Sequence, residues 1–145
     1  MASFVYTPSL TRMGSALFDW VGQDIRCLLV MSNTTADTDQ DAENIADIGT
    51  LDEDDGANYV RKAAANEAQS QDDPNNRLEL SFDPITWSAL GNGTRNVVGL
   101  VIYQHVTNDA DALLIAYVDI GTIAPGGADL TVTNNAQGII QIAAA

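Results

Sequence analysis

Residues 95–121 read RNVVGLVIYQHVTNDADALLIAYVDIG. Two apolar runs, 97–103 and 113–120, flank a polar connection, 106–112, rich in Asn and Asp. Each run has strand length and is dominated by β-branched, aromatic and aliphatic residues, while the connection supplies turn formers. That pattern predicts a β-hairpin with a medium loop. Alternation puts Val98, Leu100 and Ile102 on one face of the first strand and Val97, Gly99, Val101 and Tyr103 on the other. In the second strand Leu114, Ala116, Val118 and Ile120 oppose Leu113, Ile115 and Tyr117. Both faces are apolar, whereas a strand with one wet face alternates apolar and polar. The hairpin is therefore expected to be covered twice. One cover is the facing sheet of a sandwich; the other is a helix, a long loop or a neighbouring subunit.

Residues 24–31 predict a strand with Ile25, Cys27, Leu29 and Met31 on one face and Arg26, Leu28 and Val30 on the other. Residues 77–82 alternate Leu78, Leu80 and Phe82 with Arg77, Glu79 and Ser81; Asp83-Pro84 interrupts them and 85–87 resume. Further strands are expected at 130–133 and 138–142, after turns at Ala124-Pro125-Gly126-Gly127 and Asn134-Asn135. Residues 1–10 predict an extended N-terminal arm with Phe4, Val5 and Tyr6 ahead of Pro8. It is either an edge strand or an arm that docks on another chain. In the second case, deleting residues 1–8 leaves a folded protein that no longer binds its partner. Met13, Ala16, Leu17 and Trp20 fall at helical spacing and predict a short helix over 11–20, weakened by Gly14. Residues 32–56 form a long polar loop broken by Ile45, Ile48 and Leu51; loops of this length are usually functional or mobile. The alanines of 59–69 suggest a helix by propensity alone. The expected fold is mainly β: an antiparallel β-sandwich or barrel-like domain over 11–145, with about seven to eight strands and one short N-terminal helix.

At 145 residues the chain has the size of one domain. Such a domain buries roughly 68–70% of its unfolded surface, enough for a core without disulfides or metal. Cys27 is the only cysteine and lies in an apolar run, which predicts a buried small hydrophobe. No apolar run reaches the ~18 residues of a membrane span, and the first ten residues show no signal-peptide pattern. No membrane partner is expected. Twenty Asp and Glu against 6 Lys and Arg give a net charge of −14. That balance opposes binding to a phosphate backbone, so no nucleic-acid partner is expected. It suits a solvated outer surface or a basic partner. Nine of the acids fall between Asp37 and Asp55, with no base among them.

The chemistry-bearing residues do not form a site in sequence. Asp37-x-Asp39-x-Asp41 opens like a calcium loop, but the sixth position is Ala42 and the twelfth Ile48, where the loop needs Gly and Glu. A looser cation site at Asp52, Glu53, Asp54 and Asp55 competes with a solvated acidic loop, which is the expected arrangement. His105 is the only histidine and is expected to be a half-exposed strand-end residue; no nucleophile elbow or second histidine accompanies it. Trp20 and Trp87 are expected to anchor the core. No catalytic residue, no metal ligand and no cofactor is expected.

Several ordered motifs carry a family resemblance. Residues 24–31 (DIRCLLVM) are similar to an early strand of the type D-x-I/L-K-x-x-L-x. Residues 44–62 (NIADIGTLDEDDGANYVRK) are similar to an "I-x-D-I" segment leading through an acidic or glycine-rich loop into "G-x-Y-x-R-K". Residues 72–87 (DDPNNRLELSFDPITW) resemble "D-D-x-N-x-R-x-x-F-D-x-x-x-x-x-W". Residues 96–121 resemble a stretch ending "L-I-A-Y-I-D-x-G", and 138–142 a closing "x-G-I-I-x-I". Together they resemble a family of small structural proteins of tailed bacteriophages, over most of the chain after residue 23. The first 20 residues and the density of acids depart from the pattern, as would the part adapted to one capsid. The resemblance implies that 59–69 is extended and that the protein is a virion component: a capsid decoration, or cement, protein made in the host cytoplasm and carried on the capsid exterior. The implied partners are the major capsid protein and further copies of the chain in a homo-oligomer such as a trimer. A tail or head–tail connector part is the alternative, and a receptor- or carbohydrate-binding module ranks behind it. The residues expected at partner contacts are Phe4, Val5, Tyr6, Tyr103 and Tyr117.

Overall fold

The hairpin of 95–121 is the centre of a five-stranded antiparallel sheet. In a computed structural model, which describes residues 2–143, the strands in chain order are β1 (Phe4–Val5), β2 (Ile25–Met31), β3 (Lys62–Ala63), β4 (Ala68–Asp72), β5 (Arg77–Ser81), β6 (Ile85–Leu90), β7 (Val97–Gln104), β8 (Leu113–Ile123), β9 (Ala128–Val132) and β10 (Ile140–Ala143). Among the described residues there is one α-helix, α1, Thr7–Gly14. The central sheet has the order β1-β8-β7-β2-β3; β10-β5-β4 and β6-β9 form two smaller sheets. The chain is thus mainly β with antiparallel sheets and one short helix, as its sequence predicts.

Both faces of the hairpin are covered. On one face Ile25, Cys27 and Leu29 of β2, Leu100 and Ile102 of β7 and Ile115 of β8 share a core with Leu80 of β5, Trp87 of β6, Leu130 of β9 and Ile140 of β10. That core runs between the central sheet and both smaller sheets, which makes the arrangement a sandwich. Trp20 and Trp87 are fully buried in it, and their indole N–H groups find carbonyls, Ser81 O at 2.9 Å and Val60 O at 2.8 Å. On the other face Leu28 and Val30 of β2, Val101 and Tyr103 of β7 and Leu114 and Tyr117 of β8 pack against Ala36, Ala42, Ile45 and Ile48. The second cover is therefore the acidic loop.

Strict alternation along the hairpin is broken twice. The β7–β8 register shifts between Val97 and Gly99 and between Ile102 and Tyr103. Val97 consequently joins Leu100 and Ile102 in the sandwich core, and Leu114 and Tyr117, three residues apart, share the loop-covered face. Gly99 makes room for Tyr117. A Cβ at residue 99 would lie 2.3–2.5 Å from the Tyr117 ring, so only glycine lets that ring lie across β7.

The N-terminal elements need two corrections. The helix spans Thr7–Gly14, not 11–20, because Pro8 sits in its first turn, where a missing N–H is harmless and the fixed φ suits a helix. The helix ends early: Ala16 is left-handed at φ 55°. The extended arm of 1–10 correspondingly shrinks to Phe4–Val5, with residues 7–10 helical. Residues 59–69 contain no helix; β3 and the start of β4 lie there.

Candidate interaction surface

The arm is built into its own chain. Phe4 pairs with Tyr117 and Val5 with Ala116 along β8, and the Tyr6 N–H donates to Ile115 O at 3.0 Å. The Phe4 ring meets the Tyr6 ring edge-on at 5.0 Å and stacks on Tyr117 at 5.7 Å. The Tyr6 hydroxyl donates to Ala36 O at 2.8 Å, tying arm to loop. Burial and the neighbouring Asp39 raise the Tyr6 hydroxyl well above its usual range, and burial pushes Tyr117 up to about 12. Tyr6, Tyr103 and Tyr117 are at most 1% exposed. The contact role expected of these three is corrected accordingly: their rings are enclosed by the chain itself and serve the fold. Phe4 and Val5 remain half-buried at the surface.

Around β1 the sandwich opens into an apolar cleft of about 130 Å³ lined by Val5, Ala116, Val118, Ile139 and Ile140. It lies where β1–β8 and β10 diverge, and it is large enough for one apolar side chain. On the other side of Tyr117 a polar cleft of about 340 Å³ is lined by Ser32, Thr34, Asp37 and Thr122.

The acidic loop is ordered by hydrogen bonds to the hairpin it covers. Ile45 N–H donates to Ala112 O at 3.1 Å, Ala46 N–H to Asp109 O at 3.0 Å and Leu114 N–H to Glu43 O at 2.9 Å. Near its end, Met31 N–H donates to Asp52 O at 2.7 Å and Asp54 N–H to Leu29 O at 2.9 Å, so residues 52–54 run beside β2. Most of the acids are turned to internal use. Asp39 accepts from the Thr35 hydroxyl at 2.6 Å and the Gly49 N–H at 2.8 Å. Asp47 caps the 3₁₀ turn Ile45–Asp47 by accepting the Asn44 N–H at 3.0 Å. Asp52 accepts the Asn33 N–H at 2.7 Å and pairs with Arg95, which holds its carboxyl below the usual range. Asp55 accepts the Thr94 N–H at 2.6 Å. Among the described residues Asp37, Asp41 and Glu43 form no ion pair or side-chain hydrogen bond; Asp41 and Glu43 are exposed, Asp37 is half-buried, and the Glu43 charge acts on Arg12.

Arg61 is the cation that joins these parts. Its guanidinium binds Glu53 through Nε at 2.8 Å and Nη2 at 2.6 Å, and Asp109 through Nη1 at 2.5 Å and Nη2 at 3.0 Å. It also lies 5.7 Å above the Tyr103 ring. The Tyr59 hydroxyl donates to Glu53 at 2.7 Å and accepts the Leu29 N–H at 3.2 Å. The Arg61 hydrogen bonds keep Asp109 ionised below the usual carboxylate range. This network clamps the loop, the segment before β3 and the hairpin connection together. Sequence reasoning missed it; the one signal was Tyr59 and Arg61 at alternate positions of an extended segment.

The remaining candidate residues do not converge. Cys27 is fully buried, and burial raises its thiol above the usual range. His105 lies just past β7, half-buried, with its N–H on Asp24 O at 2.8 Å. Among the described residues no three His, Cys, Asp or Glu side chains are placed to hold a metal ion. No described helix is long and apolar enough to cross a membrane. Compared with known protein families, curated proteins and solved structures, the chain matches none.

Proposed function

We propose that this chain is a capsid decoration protein of a tailed bacteriophage, carried on the outside of the head and bound to the major capsid protein as a homo-oligomer. One observation carries this reading. The residues of the ordered phage-like motifs are used to hold the fold: Tyr59 and Arg61 in the clamp, Trp87 in the core, and Ala116 and Tyr117 under the arm. The charged motif residues that reach surface clefts, Asp73 and Arg77 in one and Asp119 in another, form no metal-ligand cluster among the described residues. A β domain whose Tyr59, Arg61, Trp87, Ala116 and Tyr117 are spent on its own fold is suited to presenting a surface, and many weak contacts add up when a symmetric oligomer docks on a symmetric lattice. The apolar cleft beside Phe4 and Val5 offers a place for a capsid side chain, and the exposed Asp41 and Glu43 offer charge to basic patches on the shell.

Quantitative mass spectrometry of purified virions tests this. A copy number comparable to that of the major capsid protein is the expected result. A handful of copies moves the protein to the tail or neck, and its absence from particles overturns the reading.

A further inference from the structure

We infer that β4 is a pairing edge through which two copies of this chain join across a two-fold axis. β4 lies at the end of the β10-β5-β4 sheet and has β5 as its only partner. Its register with β5 runs from Ala68↔Ser81 to Asp72↔Arg77 without a break. Ala68, Gln69, Ser70 and Gln71 are all exposed. Such an edge presents a row of unpaired N–H and C=O groups, and proteins usually blunt it with proline, lysine, a bulge or extreme shortness. β4 has none of these. The outer strands of the central sheet, β1 and β3, are two residues long, β6 and β9 carry a register break, and β10 has four residues with Ile140 buried.

Charge identifies the partner as a second copy. In a chain of net charge −14, most faces repel themselves. β4 reads AQSQD, and its one charge, Asp72, is paired with Arg77 of its own hairpin at 2.8 Å. Antiparallel pairing centred on Ser70 sets Ser70 against Ser70 of the second copy, Gln69 against Gln71, and Ala68 against Asp72. Within the five paired residues no like charges meet; Glu67 and Asp73 of opposite copies come together only beyond each end of the pairing. The Gln71 Nε2 already donates to Asp73 at 2.5 Å, which leaves its Oε1 to accept from the Gln69 amide of the second copy. Centring the pair on Asp72 instead would oppose two aspartates. The favoured register yields one continuous six-stranded sheet, β10-β5-β4-β4-β5-β10, with new main-chain hydrogen bonds in symmetric pairs, roughly four to six in all. The contact is isologous, so it closes as a dimer. It is a property of the free chain and needs no capsid, so it stands or falls separately from the decoration reading.

Sedimentation of the purified chain over a wide concentration range is expected to show a reversible monomer–dimer equilibrium. Ser70→Lys, which sets two ammonium groups face to face, is expected to weaken association by about tenfold or more with an unchanged circular dichroism spectrum. Ser70→Cys under mild oxidation is expected to give a disulfide-linked dimer, since Cys27 is too deeply buried to compete. Gln69→Cys faces Gln71 in this register and should cross-link far less. A chain that is monomeric throughout, a trimer, or a dimer indifferent to Ser70→Lys overturns the inference. So does a monomer whose Ser70→Lys variant is lost from virions, because the edge would then be pairing with a capsid strand.

Discussion

The central sheet is covered by two different materials. On one face the cover is regular: strands from three sheets meet around Trp20, Trp87 and Leu100, and the core is apolar throughout. On the other the cover is a loop with nine acids, and its only continuous secondary structure is the 3₁₀ turn Ile45–Asp47. The strand-built face follows from burial alone. The loop-built face needs a second device, because a few small or aliphatic residues, Ala36, Ala42, Ile45 and Ile48, cannot order a long polar segment against its conformational entropy. That device is the turning inward of acids: Asp39, Asp47 and Asp52 satisfy loop N–H groups, and Glu53 meets Arg61. A run of acids is therefore not necessarily a solvated face; here most of it is the internal fastening of a cover.

The sharpest break between the faces is expected from Trp87→Ala. The residue is fully buried between sheets, and its removal should lower stability by about 3–5 kcal/mol, read by urea unfolding as a single cooperative transition. Ile45→Ala empties the loop-covered side. It should lower stability by about 2–3 kcal/mol, toward the low end for such a truncation because an irregular loop can settle into the gap. Hydrogen exchange distinguishes the two: Ile45→Ala should loosen 32–56 ahead of global unfolding, whereas Trp87→Ala should lower protection everywhere. If both variants loosened all amides equally, the loop would be as integral as the strands and the contrast would fail. Arg61→Met comes next, at about 1.5–3 kcal/mol for the loss of charged hydrogen bonds to Glu53 and Asp109. Arg61→Lys should recover little of this, since an ammonium cannot reproduce two forked contacts at once.

The strand-built half was legible in the sequence. Alternation marked β2, β5 and the hairpin, and two apolar hairpin faces demanded two covers. The rest failed for separate physical reasons. β4, AQSQD, has no apolar alternation because it overhangs the core and is held by its ladder to β5. The spacing of Met13, Leu17 and Trp20 points beyond α1, whose start is marked by Pro8 alone, and Leu17 is 69% exposed. The clamp joins Arg61 to Asp109 across the fold, and no local spacing encodes that contact. Phe4, Val5 and Tyr6 read as an apolar arm, but no sequence pattern encodes that its receptor is β8 of the same chain. Deleting residues 1–8 is accordingly expected to uncover Ala116 and Tyr117 and to destabilise the domain, where a free arm would be dispensable.

The smallest expected effect concerns two aspartates two residues apart that titrate in opposite directions. Asp52 is depressed by its hydrogen bonds from Arg95. Its contribution is present above the unfolded carboxyl value of about 3.9 and disappears as pH falls through the lower folded value. Asp54 is 4% exposed, its Oδ2 has no hydrogen-bond partner, and burial raises its carboxyl. The folded state therefore holds the Asp54 proton more tightly than the unfolded state does. That contribution is complete below about pH 3.9 and is lost as pH rises through the higher folded value, so ionised Asp54 weakens the fold at neutral pH. Asp52→Asn should destabilise at neutral pH and do little in acid. Asp54→Asn should do the reverse, raising stability at neutral pH by about 1 kcal/mol or less, with the gain shrinking as pH approaches the unfolded value. Thermal unfolding of both variants across this range reads the two slopes. Parallel slopes would mean that Asp54 is not held in a low-dielectric site, and that the end of the loop is solvated after all.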